Sequence, residues 1–182
     1  MDDTELASRL ASDLDGTFEV LVRTHIDRCY SIALRLLGDA SDAEEVAQDA
    51  LVRAYRALER YPTEQVSELE LRPWLATITL NAARSRRRRL ADRRASLPLD
   101  AVGSEALSSG TETVGSSLAR LVAGLPERYR APIVLRYVDD LTFPQIAQVL
   151  GRPEGTLKAQ VHRGLALLRA AHDAAEREEL TA

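Results

Sequence analysis

The stretch Leu141-Thr-Phe-Pro-Gln-Ile-Ala-Gln-Val-Leu-Gly-Arg-Pro-Glu-Gly-Thr-Leu-Lys-Ala-Gln-Val-His-Arg163 leaves little room for anything but two helices and a tight turn. Thr142 offers a capping hydroxyl, Gln145 stands three residues on as in a capping box, and Pro144 near the helix start has no N–H to leave unpaired. Ile146, Ala147 and Leu150 form an apolar stripe. Gly151 supplies the permissive backbone of a helix end, and Pro153 opens the next helix. There Leu157, Val161, Leu165 and Leu168 keep helical spacing, which turns Glu154, Thr156, Lys158, Ala159, His162 and Arg163 elsewhere. A helix pair with a short glycine turn and a net-basic second helix is the pattern of a DNA-binding helix-turn-helix. An ordinary helical hairpin in a bundle core fits the same residues, so this stretch alone leaves two readings open.

Charge distribution narrows the choice. The 182-residue chain carries a formal charge of −4, which taken whole argues against a nucleic-acid partner. Taken in segments it does not. Residues 1–83 hold eight arginines against sixteen carboxylates, whereas residues 84–94 hold seven arginines against Asp92 alone. Residues 95–115 are mildly acidic, residues 116–170 set eight basic groups against four acidic ones, and residues 171–182 turn acidic again. Such asymmetry predicts separate surfaces for separate partners, some of them anionic.

Other classes drop out on composition. The sequence has no apolar run of membrane-spanning length, and the acidic start Met1-Asp-Asp-Thr-Glu lacks the layout of a signal peptide. Cys29 is the single cysteine, so no internal disulfide is expected and a reducing cytoplasm is. His25 and Cys29 stand one helical turn apart, but no second cluster accompanies them, so Cys29 reads as a core thiol rather than a metal ligand. His25, His162 and His172 are scattered, and no carboxylate pair faces a shared pocket. No catalytic residue, metal or cofactor is expected.

In chain order, residues 4–12 read as a short helix, and Asp15 to Leu37 as a long one, ended by Gly38. Ser41-Asp-Ala-Glu44 carries a capping-box signature and opens a helix whose outer face shows Asp42, Glu45, Gln48, Asp49, Arg53 and Arg56. That face is either simply solvated or an acidic dock for a basic partner. Residues 62–71 read as a polar loop, and Arg72-Pro-Trp74 restarts a helix that runs into Arg84-Ser-Arg-Arg-Arg-Arg89. Five arginines in six residues repel one another unless an anion is near, which favours phosphate binding. A Ser/Gly/Thr-rich linker follows over 95–115, and a second helical module starts near Ser116. The expected fold is all-α: a first domain over 1–94, the linker, a helix-turn-helix domain over 116–171 and an acidic tail over 172–182. A tether of this composition predicts a monomer with mobile modules.

Four motifs in order resemble the extracytoplasmic-function group of bacterial sigma factors. They are Asp42-Ala-Glu-Glu-Val-Ala-Gln-Asp49, then Pro73-Trp-Leu-Ala-Thr-Ile-Thr-Leu-Asn81-Ala-Ala-Arg84, then Leu125-Pro-Glu-Arg-Tyr-Arg-Ala-Pro-Ile-Val-Leu-Arg-Tyr137, then Gly155-Thr-Leu-Lys-Ala-Gln-Val-His-Arg163. Glu45, Thr79, Phe143-Pro144 and His162 depart from the residues more usual in that group.

The resemblance implies a non-enzymatic promoter-specificity subunit of bacterial core RNA polymerase. It places Asp42, Glu45, Gln48 and Asp49 on the polymerase large-subunit clamp, with the flap as a second contact of the enzyme. It places a pocket for an extruded non-template base among Tyr61 to Leu71, with Tyr61, Asn81, Arg84, Arg87 and Arg88 at the −10 element. Lys158, Ala159, His162 and Arg163 become base-edge candidates at the −35 element, and Arg152, Thr156 and Gln160 backbone contacts. It further implies an anti-sigma partner, a cytoplasmic protein joining the nucleoid in holoenzyme, and an acidic linker suited to the RNA exit channel. A helix-turn-helix regulator acting without polymerase is the alternative; it leaves Asp42–Asp49 and the Asn81–Arg89 helix without a purpose.

Overall fold

The computed structural model describes residues 2–96 and 114–179, all helices and short turns with no strand among them. The linker expected over 95–115, and with it the exit-channel path, lies almost wholly outside the described residues. The first half contains α1 (Asp3–Ser12), α2 (Leu14–Leu37), α3 (Ala40–Leu58), α4 (Thr63–Ser67) and α5 (Leu71–Ser96). The second contains α6 (Val114–Gly124), α7 (Glu127–Tyr137), α8 (Phe143–Leu150) and α9 (Glu154–Glu179), so the expected tail is largely a continuation of the last helix.

Local signals place most boundaries. Thr142 and Gln145 form the reciprocal capping box at α8, and Gly151 ends that helix at φ 61°. Two boundaries differ from expectation. The cap of α3 is Asp39, whose carboxylate accepts from the Asp42 amide at 2.8 Å; Ser41 already lies inside the helix. A carboxylate at the N-terminus also meets the helix dipole, which a serine hydroxyl two residues on cannot match. The polar stretch after Tyr61 is not all loop, because Val66 is buried and anchors the five-residue α4.

Among the described residues the apolar side chains gather into two large cores and a small third one of Leu125, Ile133 and Val161. Leu6 and Leu10 of α1, Leu21 of α2, Leu51 and Leu58 of α3, Val66 of α4 and Leu71 and Leu75 of α5 form one inside the first half. The other crosses between halves: Ile32, Ala33 and Leu36 of α2, Val46 of α3 and Leu80 of α5 meet Val122, Val134, Leu135, Leu141, Ile146 and Leu157. Each such leucine contributes about 1.5–3 kcal/mol by leaving water. The expectation of mobile modules is therefore not what the structure contains; the two pack on each other through α2 and α5. Gly38 marks how closely. It closes α2 at φ 81°, and a Cβ there would stand 2.9 Å from the Ala123 Cβ of α6.

Cys29 is buried, as a core thiol should be, and burial pushes its pKa up. His25, 2% exposed, sets Nε2 3.3 Å from Asp3 Oδ1, though neither ring nitrogen makes an aligned hydrogen bond. Burial holds its pKa below 6.5; Asp3 opposes this, and the charges of Arg28 and Arg72 reinforce it. With the folded pKa depressed, the unfolded chain binds the proton more readily, so stability falls as pH drops below 6.5 toward the folded value. Urea midpoints measured between pH 7.5 and 5.5 should decline, and His25→Gln should flatten that part of the decline. An undiminished slope in the variant would rule His25 out as its source.

Candidate nucleic-acid interface

Three surfaces gather the residues singled out in the sequence. On α3, Asp42, Glu45, Gln48 and Asp49 lie along one side, as their 3–4-residue spacing demands. None of the four side chains is without a partner. Arg86 of α5 reaches across to Asp42 at 2.6 Å and to Glu45 at 2.6 Å, Asp49 pairs with Arg53 at 2.8 Å, and Gln48 donates to Glu44 at 3.5 Å. Asp42 is half-buried and ties α3 to α5, whereas Glu45 remains 57% exposed. The arginine run thus divides. Arg86 clasps the acidic face, Arg84 pairs with Glu127 of α7 at 2.6 Å, and Arg87, Arg88 and Arg89 are exposed.

On the flank of α5, Tyr61 and Asn81 line one cleft of about 360 Å³ together with Arg53, Ala57, Trp74, Thr77 and Ile78. The Tyr61 and Trp74 rings stand 6.3 Å apart at 59°, an apolar wall facing the polar Thr77 and Asn81. Arg84, Arg87 and Arg88 are not among the lining residues; they continue along α5 beyond it. Sequence reasoning missed Arg53, Trp74 and Thr77 as cleft residues. The signal is present in the sequence, since Trp74, Thr77, Ile78 and Asn81 follow i, i+3, i+4, i+7 spacing on one helix face.

On α9, Leu157 and Val161 are buried and Gly164 closes onto α7, where a Cβ would meet Tyr129 Cβ at 2.9 Å. That packing turns Thr156, Lys158, Ala159, His162 and Arg163 outward, all exposed. The Lys158 ammonium lies 5.5 Å over the Phe143 ring and 3.6 Å from Glu154, so its charge is held near the helix start. Arg152 and Gln160 are joined by a 3.2 Å hydrogen bond and are half-buried. Among the described residues no group of His, Cys, Asp and Glu could hold a metal ion, and no helix is long and apolar enough to cross a membrane.

A two-part helical chain with an acidic helix face, an arginine-bearing cleft and a helix-turn-helix has the make-up of a bipartite promoter-recognition protein. The Sigma-70 region 2 family model matches residues 21–94, and the Sigma-70, region 4 model matches residues 116–168. The ECF RNA polymerase sigma factor SigW of Bacillus subtilis (strain 168) is 29% identical over 169 residues, covering 84% of this chain and 87% of that one. CnrH, solved in complex with the cytosolic domain of CnrY, superimposes with a TM-score of 0.70 at 26% identity, covering 94% of this chain and 97% of that one. The sigma factor RpoE of Bartonella quintana, solved with the anti-sigma factor NepR, gives 0.65 at 21% identity over 84% of this chain and 94% of that one, a likeness of fold. The chain belongs to the sigma-70 family of RNA polymerase sigma factors, in its extracytoplasmic-function group.

Proposed function

We propose that this sigma factor carries its three tasks on the three surfaces described. Glu45, Gln48 and Asp49 of α3 meet the basic clamp of the polymerase large subunit, with Asp42 positioning the face through Arg86. The Tyr61–Asn81 cleft receives an extruded base of the −10 element, while Arg84, Arg87 and Arg88 bind its phosphates. Flipping a base costs a few kcal/mol, and polymerase and phosphate contacts must offset it. The α9 face enters the major groove at −35, where Arg163 can fork onto a guanine for roughly 1–3 kcal/mol of discrimination. Lys158, Ala159 and His162 complete the base-edge set, and Arg152, Thr156 and Gln160 steady the backbone. The domain limits that go with this division are 1–94 and 116–171.

The observation that carries the reading is the outward face of α9, held rigid by buried Leu157, Val161 and Gly164. An anti-sigma partner is supported by RpoE, solved with one bound. A cytoplasmic place, a monomeric free state and action without catalysis accord with this role. Run-off transcription over promoter fragments tests it: core polymerase plus this chain should give discrete starts, and neither component alone should. Tight protection of a palindromic operator by the isolated chain would instead favour a regulator that needs no polymerase.

A further inference from the structure

The shortest described helix stands beside the promoter cleft. α4 has five residues, and Pro62 before it supplies no side-chain cap. A helix that short is unstable by itself in water, so packing must hold it. That packing comes from α1. Leu6, Ala7 and Leu10 are buried on one face of α1, in the same core as Val66 of α4. Among the described residues α1 packs more extensively on α4 than on α2 or α5, and α4 packs on no other helix to that extent. α1 is itself tied down at both ends. Asp2 caps it by accepting from the Glu5 amide at 2.8 Å, and Asp3 stands 3.3 Å from His25 of α2. At the far end the Asp13 amide donates to the Arg9 carbonyl at 2.8 Å, while the Asp13 carboxylate caps α2.

The cleft is built around the segment that α1 holds. Tyr61 lies just before α4 and Trp74 in the first turn of α5, so the two rings stand at the ends of one short excursion of the chain. Backbone hydrogen bonds keep the excursion compact: the Val66 amide donates to Pro62 at 3.1 Å, that of Leu69 to Val66 at 3.2 Å and that of Trp74 to Glu70 at 3.1 Å. Both rings also rest against the core that contains Leu6, Leu10 and Val66. No residue lining the cleft comes from α1. The segment matched by the region 2 model begins at residue 21, so α1 lies before it.

We infer that Leu6 and Leu10 are positioning residues for the cleft: α1 holds α4, and through it sets where Tyr61 and Trp74 stand when an extruded −10 base enters. The inference rests on the proposed function of that cleft. Selective contact with a flat base needs its partners within about 0.5 Å of the right geometry. Loosening α4 therefore blurs the choice of base well before it unfolds the chain. The −35 face on α9 lies outside the core of α1 and α4 and should keep its own choice.

The test uses holoenzyme on a promoter identified by run-off transcription, with each −10 and −35 base pair replaced in turn. The ratio of best to worst base is compared between variants, because a smaller folded fraction leaves that ratio unchanged. Leu10→Ala should lower the −10 ratio at least fivefold and keep the −35 ratio within twofold. Leu10→Met, which refills most of the volume, should restore most of the loss. Val66→Ala removes the same packing from the α4 side and stands in for Leu10→Ala if that variant fails to fold. The double variant Leu10→Ala/Val66→Ala should lose little more than either alone. Unchanged −10 ratios, or equal losses at −10 and −35, overturn the inference.

A second measurement needs no DNA. Trp74 is the single tryptophan of the chain, so acrylamide quenching of its fluorescence reports on the cleft wall. Leu10→Ala should raise the quenching constant at least twofold, and Leu36→Ala, in the other large core, should not. No rise in Leu10→Ala, or an equal rise in Leu36→Ala, overturns the positioning role. A wild-type chain whose −10 preferences survive Asn81→Ala would count against the proposed function instead, and the Trp74 result would still decide what α1 holds.

Discussion

Leu157→Ala should cost about 2–5 kcal/mol of folding stability, while its neighbour Lys158→Ala should cost no more than about 1. Leu157 is completely buried in the core that joins α8 and α9 to α2, α5 and α7. Removing its isobutyl group leaves a cavity that five helices cannot collapse around together. Lys158 is 59% exposed, and its structural ties are the Phe143 ring and Glu154. Its loss should appear in DNA binding: holoenzyme carrying Lys158→Ala should bind a −35-containing promoter more weakly, with a shallower salt dependence if a phosphate contact has gone. Urea denaturation alongside promoter binding separates the two residues. Equal destabilisation by both substitutions would mean that the outward face of α9 is misassigned.

The second large effect is expected on polymerase docking. Glu45→Lys/Asp49→Lys should weaken binding to core polymerase at least 100-fold, about 2.7 kcal/mol, because reversing a charge against a basic surface converts attraction into repulsion. The pair is chosen for what it leaves standing. Asp42 keeps both of its contacts in the clasp with Arg86, while the Arg86–Glu45 and Arg53–Asp49 pairs are given up at side chains that are 57% and 38% exposed. Reversing Asp42 would confound docking with that clasp. Anisotropy titration of labelled protein with core polymerase at two salt concentrations reads the result, since a charge-dominated loss narrows as salt rises. An unchanged affinity at low salt would remove the acidic face from the docking surface.

How far the sequence carried the fold can be seen residue by residue. The capping box at Thr142, the glycine ends at Gly38 and Gly151 and the apolar stripes of α2, α3 and α9 are properties of neighbours within a few positions, and each lies where local spacing puts it. The misplacements at Ser41 and over residues 62–71 differ in cause: Asp39 is a local cap that outcompetes Ser41, whereas Val66 becomes an anchor only through tertiary burial. The candidate site divides in the same way. Which residues of α9 face outward followed from helical period. That Asn81 shares a cleft with Tyr61 and Arg53 did not, because α3, the turn after it and α5 all contribute to it.

By itself the sequence determined an all-helical chain, two helical modules, a helix-turn-helix and the family motifs, because each rests on intervals of three to seven residues repeated along one element. Only the tertiary structure decided that Arg86 holds Asp42 and Glu45, that Arg84 reaches Glu127, and that Arg28 and Arg72 close on Asp139. An arginine carries the same charge whether it faces a phosphate, a partner protein or a carboxylate over a hundred residues away. Which of these it meets depends on how the helices pack, and local spacing holds no record of that.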